Sequence, residues 1–328
     1  MLQPNLRRQQ EAQLTMTAIA KDIAQDRLVV GFVGLGRMGS AVAGNLVHAG
    51  HRVLAYVRHS ERRAALLVAG IEPVDGLVDL AACSIVVTML PDDAAVTEVT
   101  LGGEGREGLA SILTNGSIHL SMSTISPGCS RALSAAHAQH GQVYVAAPVF
   151  GNPEAARARE LFVVAAGPEE GVGRCLPLLE ALGQDTFVVG IDPAAANLVK
   201  LAGNVMTGAT LEIIGEVLAL ARKSGVDPER LLTILTSTMF GGRAHRIYGS
   251  KMVAQHYEQG GFVLPLALKD MKLALAEAEA AAVPMPVVSV VRDRMLTGIA
   301  RGYAVLDWSA LGLVAAEEAG LSRKRSTS

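Results

Sequence analysis

A glycine-rich segment has the residue types and spacing of a loop that binds phosphate groups. Gly34, Gly36 and Gly39 follow the apolar run Leu28–Val33 and precede a helix-forming stretch. In such a strand-to-helix turn the first glycine permits the tight turn, the second lets a pyrophosphate approach the backbone, and the third lets the helix pack closely. The N–H groups at the helix N-terminus then face the phosphates. The spacing therefore predicts a dinucleotide-binding loop of consecutive residues: Gly34, Leu35, Gly36, Arg37, Met38 and Gly39.

The end of the next predicted strand lacks the acidic residue that usually accepts hydrogen bonds from the adenosine ribose of NAD. Val57 and Arg58 stand there instead, and Arg62 and Arg63 follow one helical turn later. A cation beside the ribose favours a 2′-phosphate, so we expect Arg58 to bind phosphate and NADP(H) to be preferred to NAD(H). Arg62 and Arg63 are also compatible with a solvated helix face.

Lys200 and Asn204 lie four residues apart in a long Ala- and Leu-rich stretch. Residues at i and i+4 share one face of a helix, so an ammonium and an amide there can converge on one small ligand. A lysine in that place is also typical of the solvated surface of a long helix. The spacing alone leaves both interpretations open.

The chain that must position these residues changes character about halfway along. In its first part β-branched runs alternate with helical stretches, and the predicted strands are Leu28–Val33, Arg52–Val57, Ser84–Leu90, Ser117–Leu120, Val143–Ala146 and Leu161–Ala165. Such alternation predicts a mostly parallel, doubly wound sheet of the Rossmann type. After Asp192 strand-like runs nearly vanish, and Ala194–Lys223 is predicted as one helix followed by shorter ones.

The predicted fold class is therefore α/β, with two domains joined by the long helix. We expect a dinucleotide-binding Rossmann domain over residues 28–192 and an all-helical domain for substrate binding and dimerisation over residues 193–328. Residues 1–27 show no signal-peptide pattern, and we expect them to form a disordered extension.

Composition argues against several other classes of function. The 328 residues are 50% hydrophobic and 18% charged, which suits two domains with large cores. Lys and Arg (29) nearly balance Asp and Glu (31), so no basic surplus is present to bind nucleic acid. The three cysteines show no metal-binding spacing, and we expect no apolar stretch of the roughly 18 residues that span a membrane. These features predict a cytoplasmic protein with a small-molecule substrate and no metal.

Five sequence blocks, taken together, resemble the β-hydroxyacid dehydrogenase family. This family includes 3-hydroxyisobutyrate dehydrogenases and semialdehyde reductases and is similar to 6-phosphogluconate dehydrogenase. The blocks are the glycine loop continued to Asn45, and then Met89–Asp93, Ser123–Pro127, Lys200–Asn204 and Leu268–Asp270. They follow the family's order along the chain, and the ordered set is far more specific than any one block.

The resemblance implies a role for residues in each block. Lys200 is expected to be the catalytic acid/base, and Asn204 to help position the reacting group. Ser123 is expected to contact the substrate, and Thr124 the nicotinamide end of the cofactor. The other implied cofactor-binding residues are Leu90, Pro91 and Lys269. Asp270 is expected to orient Lys269.

Two departures from the family pattern concern the substrate. Ser121 stands where the family commonly has an aspartate, two residues before the Ser-Thr pair. Residues 148–153 read Pro-Val-Phe-Gly-Asn-Pro where the family usually reads Pro-Val-Ser-Gly-Gly. Phe150 is bulkier than serine and Asn152 replaces a glycine, so the pattern is compatible with a larger or less acidic substrate.

The reaction expected from these residues interconverts a small semialdehyde or keto acid with its hydroxy acid. The cofactor carries the hydride, and Lys200 exchanges a proton with the substrate oxygen. An imine reductase of the same architecture stays open as an alternative, although those enzymes generally carry another residue where this chain has Lys200. A catalytically silent regulatory module is a second alternative, and it should have lost Lys200 or Asn204.

The long predicted helix carries apolar residues along much of its circumference, so it needs cover on every side. The helices that follow it are too short and too few to supply that cover within one chain. Since the resemblance implies a dimer that interlocks through the helical domains, we expect a homodimer.

Overall fold

The computed structural model describes residues 27–58, 60–103, 105–258 and 261–322. The chain divides into two compact units, and the boundary falls between Lys200 and Leu201. Residues 1–26 of the expected N-terminal extension lie outside the described residues.

The first unit contains a nine-stranded sheet and a separate two-stranded hairpin. The strands are β1 Val29–Val33, β2 Arg52–Tyr56, β3 Ile71–Val74, β4 Ile85–Thr88, β5 Gly102–Gly103, β6 Arg106–Glu107, β7 Ile118–Ser121, β8 Val143–Ala146, β9 Val149–Phe150, β10 Leu161–Ala166 and β11 Gly183–Gly190. The sheet order is β11-β10-β8-β7-β4-β1-β2-β3, with β9 paired to β10. Its pairs are parallel except those of β10 with β8 and β9. The order reverses between β1 and β4, which is where open α/β sheets bind ligands. The predicted doubly wound α/β fold is confirmed.

Helices alternate with these strands, and three of the helices begin at a residue whose side chain caps the first turn. They are α1 Arg37–His48, α2 Arg63–Val68, α3 Asp93–Leu101, α4 Leu109–Ile112, α5 Pro127–Gln139, α6 Pro153–Arg157 and α7 Glu169–Glu180. The side chains of Asp92, Ser126 and Asn152 each accept a hydrogen bond from the backbone of the first turn of α3, α5 and α6. A proline at the first position of α5 and α6 costs no hydrogen bond, because that N–H has no partner within a helix.

The sequence prediction does not include five of the strands, namely β3, β9 and β11 of the large sheet and the hairpin strands β5 and β6. Strand β3 contains Pro73, which a sheet tolerates at its edge because an edge strand can leave one N–H unpaired. Strand β11 forms the opposite edge and is exposed over most of its length, so it lacks a continuous buried apolar run. Strand β9 has only two residues.

A chain of buried polar side chains lies between the sheet and α5. The side-chain amide nitrogen of Gln142 donates hydrogen bonds to two backbone carbonyl oxygens. Its side-chain oxygen therefore faces His137 and accepts a hydrogen bond from Nδ1 at 2.6 Å. His137 Nε2 therefore accepts from His119 Nδ1 at 2.8 Å, and His119 Nε2 accepts from the Thr88 hydroxyl at 2.8 Å. Each ring nitrogen has one role, and both imidazoles are neutral. Burial lowers the pKa of His137 and lowers the pKa of His119 well below its ordinary value.

The second unit is helical in its described residues. Its α-helices are the C-terminal part of α8 Pro193–Lys223, then α9 Pro228–Ser237, α10 Arg243–Ala254, α11 Leu264–Ala280, α12 Pro286–Ala300 and α13 Leu311–Glu318. A partly buried ion pair joins two of them, since Arg294 Nε of α12 donates to Glu212 Oε1 of α8 at 2.6 Å. Burial raises the pKa of Glu212, and the guanidinium of Arg294 opposes that shift.

The expectation that the chain contains no apolar stretch long enough to span a membrane is wrong for helix α8. An 18-residue window within its 31 residues has a mean hydropathy of 1.3, which passes that test by length and composition alone. The core helix of a globular domain passes the same test, and 44% of the window is buried here. Helix α8 also carries buried polar side chains, which fit a core helix: Asn197, Lys200, Asn204 and Glu212.

Another side of α8 is exposed and apolar. Its exposed large side chains include four spaced seven residues apart, which places them on one helix face. We call this set the α8 stripe, and it consists of Val199, Met206, Ile213 and Leu220.

Candidate active site

The three glycines of the phosphate loop have different steric surroundings. Gly34 has a φ of +102°, and a Cβ there would lie 2.3 Å from the carbonyl oxygen of Met89. A Cβ on Gly39 would lie 2.0 Å from the carbonyl oxygen of Gly34. A Cβ on Gly36, immediately before α1, meets no described atom within 4 Å. Side chains at Gly34 and Gly39 are thus excluded by the protein itself, whereas Gly36 opens onto space beside the N-terminus of α1.

The arginines after β2 differ in how firmly other side chains hold them. Arg63 forms an ion pair with Asp75, so its charge has a partner within the protein. Arg62 Nη2 lies 3.4 Å from a serine hydroxyl of α1, the helix that follows the phosphate loop. Arg58 is exposed, and its Nη2 lies 3.9 Å from Glu98 Oε2, at the outer limit of an ion pair.

The loops after β4 and β7 are tied together at the carboxyl end of the sheet. The backbone N–H of Leu90 donates to Ser123 Oγ at 2.8 Å, and Ser123 is almost fully buried. Asn197 Nδ2 of α8 donates to the Ser123 carbonyl oxygen at 3.5 Å. The structure thus brings Leu90, Ser123 and the first turns of α8 together, with Pro91 and Thr124 adjacent in the chain.

Asn197 is a site residue that the sequence analysis does not predict. It lies three residues before Lys200 and so occupies the same face of α8. The side chain is 1% exposed, and its Oδ1 has no hydrogen-bond partner among the described residues. A buried acceptor without a partner is costly, which favours a ligand group that donates to it. The Asn-x-x-Lys spacing is the sequence signal that could have indicated it.

Lys200 is buried, with 8% of its surface exposed. Its Nζ lies 4.5 Å from the centroid of the Phe150 ring, within the range of a cation–π contact. Phe150 is the second residue of β9. Asn152, which the sequence associates with the substrate, also has a structural role. Its side chain caps α6 by accepting a hydrogen bond from the Ala155 N–H at 2.8 Å.

The remaining predicted residues form a separate cluster in the second unit. Asn204 Nδ2 donates to Asp270 Oδ2 at 2.5 Å, and both side chains are buried. Lys269 Nζ lies 3.0 Å from the other carboxylate oxygen of Asp270. Asp270 therefore holds both the amide and the ammonium, and its contact with Asn204 is not predicted by the sequence analysis. The described residues include no group of three or more His, Cys, Asp or Glu side chains that could hold a metal ion.

Comparison with known proteins covers both units. Residues 29–190 match the NAD-binding domain of 6-phosphogluconate dehydrogenase. Residues 194–321 match the domain described as NAD-binding of NADP-dependent 3-hydroxyisobutyrate dehydrogenase.

Curated relatives align over most of their own length. An uncharacterized oxidoreductase, YfjR, of Bacillus subtilis is 39% identical over 285 residues, which are 86% of this chain and 98% of the relative. The 3-hydroxyisobutyrate dehydrogenase of Pseudomonas aeruginosa is 31% identical over 271 residues, which are 80% of this chain and 90% of the relative.

Solved structures share the architecture. Psf3 in complex with NADP+ and 2-OPP is 25% identical, with a TM-score of 0.77 over 87% of this chain and 99% of that one. An imine reductase from Pseudomonas sp. is 20% identical, with a TM-score of 0.59 over 88% of this chain and 99% of that one, which shows the fold alone. From the two domain matches and the curated relatives, the chain belongs to the β-hydroxyacid dehydrogenase family of the 3-hydroxyisobutyrate dehydrogenase type and is an NAD(P)-dependent oxidoreductase acting on a CH–OH/C=O pair.

Proposed function

We propose that this protein is an NADPH-preferring reductase that interconverts a small semialdehyde or keto acid and its hydroxy acid, with Lys200 as the general acid/base. The observation that carries the proposal is the buried ammonium of Lys200 on the face of α8 that also bears Asn197. Asn197 contacts Ser123 at the carboxyl end of the parallel sheet, the edge where such sheets bind ligands. An ammonium at that edge is suited to give a proton to an oxygen that becomes negative during reduction.

The chain's own residues supply binding, orientation and the proton. The bound nicotinamide cofactor supplies the hydride. Lys200 gives its proton to the substrate oxygen during reduction and takes it back during oxidation. Ser123 accepts from the Leu90 N–H, and its own hydroxyl hydrogen can still donate to the substrate. Asn204 lies one turn beyond Lys200 on α8, and Asp270 fixes its amide.

The fit of the phosphate loop and the basic residues after β2 supports NADP(H) as the cofactor. The loop from Gly34 to Gly39 would hold the pyrophosphate, since the space beside Gly36 adjoins the N-terminus of α1. Arg58 would bind the 2′-phosphate, because its guanidinium is exposed and only weakly held by Glu98. Neither β2 nor Val57 and Arg58, the two residues after it, supply an acid for the ribose hydroxyls of NAD.

The α8 stripe supports assembly into a homodimer, and we further propose that the protein is cytoplasmic. Apolar side chains at seven-residue spacing are typical of a helix that packs along a second helix. Exposed apolar surface of this kind promotes association. A second copy of the chain supplies an identical stripe, so a symmetric pair of α8 helices would cover both.

The test is a substrate panel with the full-length protein. Oxidation of NADPH or NADH is followed with glyoxylate, succinic semialdehyde and the cyclic imine 2-methyl-1-pyrroline, and reduction of NADP+ with 3-hydroxyisobutyrate. We expect turnover with at least one aldehyde or hydroxy acid, and faster turnover with NADPH than with NADH. Turnover confined to the imine would replace the proposal with an imine reductase. Tight NADPH binding without turnover of any compound would favour a silent regulatory module.

A further inference from the structure

The buried ammonium of Lys200 contacts the face of an aromatic ring, that of Phe150. A charged group taken out of water loses hydration, and a buried charge is tolerated when other groups replace that hydration. A carboxylate would stabilise the charge strongly and would oppose release of the proton. An aromatic ring attracts the cation through its electron-rich face without taking a proton.

The ring of Phe150 is held in position from two directions. Its backbone belongs to β9, where it is in register with Phe162 of the antiparallel neighbour β10. Its side chain packs against an apolar cluster that includes Ile125 and Ala196. Ala196 belongs to the turn of α8 that precedes Lys200, so the same packing fixes the ring and the helix that carries the lysine.

From this geometry we propose that Phe150 is a positioning residue for the reaction, holding the Lys200 ammonium over its ring in the orientation used for proton transfer. The inference rests on the proposed acid/base role of Lys200. The contact distance is 4.5 Å from Nζ to the ring centroid, and it lies within the first unit of the fold. The ring also favours the charged form of the lysine, which is the form that donates the proton during reduction.

The test compares substitutions that keep or remove the aromatic face. Phe150→Tyr keeps the ring, whereas Phe150→Leu keeps an apolar side chain without it, and Phe150→Met is a second variant should the first fail to fold. Phe187→Leu makes the same exchange on the exposed edge strand β11 and is the matched control. The assay follows NADPH oxidation with succinic semialdehyde, or with the best substrate of the panel, from pH 6 to pH 10.

We expect Phe150→Leu to lower kcat by about 10-fold or more, because a catalytic group displaced by about 1 Å from its productive position reacts up to about 10²-fold more slowly. The affinity for NADPH should not change, since the phosphate loop is intact. The fall of kcat at high pH should begin at a lower pH in Phe150→Leu, by roughly half a unit or more, because the charged lysine has lost a stabilising partner. Phe150→Tyr and Phe187→Leu should match the parent enzyme in both measurements.

Two results would overturn the inference. One is a Phe150→Leu enzyme with the parent's kcat and pH profile alongside a Lys200→Ala enzyme that is slow. The other is an equal loss in Phe150→Leu and Phe150→Tyr, which would assign the effect to packing. By contrast, a Lys200→Ala enzyme with the parent's kcat would refute the proposed function itself, as would the absence of turnover across the panel.

Discussion

Removal of the Lys200 ammonium should separate the chemical step from cofactor binding. We expect Lys200→Ala to lower kcat by about 10²-fold or more, the usual contribution of a general acid/base. The dissociation constant for NADPH should change by less than about threefold, because the phosphate loop is formed by other elements. Steady-state kinetics and NADPH fluorescence titration measure the two quantities. Lys272→Ala on the exposed side of α11 is the control, and near-normal turnover of Lys200→Ala would exclude Lys200 from the mechanism.

Arg58 should decide which cofactor is preferred. We expect Arg58→Asp to reduce the preference for NADPH over NADH by roughly 10- to 150-fold, the value of one charge-assisted phosphate contact. Arg63→Gln is the matched control, because Arg63 is already paired with Asp75 and should change the preference little. The ratio of kcat/KM for the two cofactors is the measurement. Equal use of NADPH and NADH by the parent enzyme would contradict the assignment of Arg58.

At the scale of residues, the sequence indicates the groups with strong local spacing and misses those that depend on tertiary contacts. The glycine loop and the Lys200–Asn204 pair are recognisable because each lies within a few consecutive residues. The contact of Asn197 with Ser123 and the contact between Phe150 and Lys200 are not, because they join α8 to the loop after β7 and to β9 across the fold. The link from Asn204 to Asp270 spans 66 residues of chain for the same reason.

At the scale of elements, the buried histidine pair under α5 should make the fold sensitive to acid. In the unfolded chain each imidazole has a pKa near 6.5 and gains a proton as the pH falls below that value, whereas the lowered pKa in the folded state keeps it neutral. Stability is therefore fully present above about pH 6.5 and falls as the pH drops toward the folded-state pKa values. Between pH 7.5 and 5.5 we expect the free energy of unfolding to fall, by at most about 1.4 kcal/mol per pH unit for each imidazole.

Urea unfolding at several pH values checks this expectation. His119→Gln removes one titrating ring, so its stability should start lower at pH 7.5 but decline less than that of the parent on acidification. A parent protein that is equally stable at pH 7.5 and 5.5 would contradict the neutral, hydrogen-bonded assignment of His119 and His137.

Elements with continuous buried runs are predicted well, and edge elements are not. Strand β4 is buried at every residue, and α8 carries a long apolar pattern, so both are evident in the sequence. Strands β3 and β11 lie at the two edges of the sheet, where one side of the strand needs no partner and the apolar pattern is weak. Their pairing depends on neighbours that local propensity does not specify.

At the scale of the whole molecule, the α8 stripe predicts the oligomeric state. We expect light scattering after size-exclusion chromatography to give about twice the chain mass of 34.2 kDa at micromolar concentration. Ile213→Glu should shift the population toward monomer, because it places a charge in the centre of the stripe. Val68→Glu is the matched control, since Val68 is 92% exposed on α2 of the first unit. A fully active parent at the mass of one chain would refute the homodimer.

The unequal surroundings of Gly34, Gly36 and Gly39 have a consequence for how the chain tolerates variation. Alanine at position 34 or 39 meets backbone oxygen, so such variants should be depleted from a library scored for protein abundance in cells. Alanine at position 36 meets only open space, so its abundance should be normal and its loss should emerge only when the library is scored for catalysis. The two scores would thus divide one motif into two glycines required for folding, at positions 34 and 39, and one required for catalysis, at position 36.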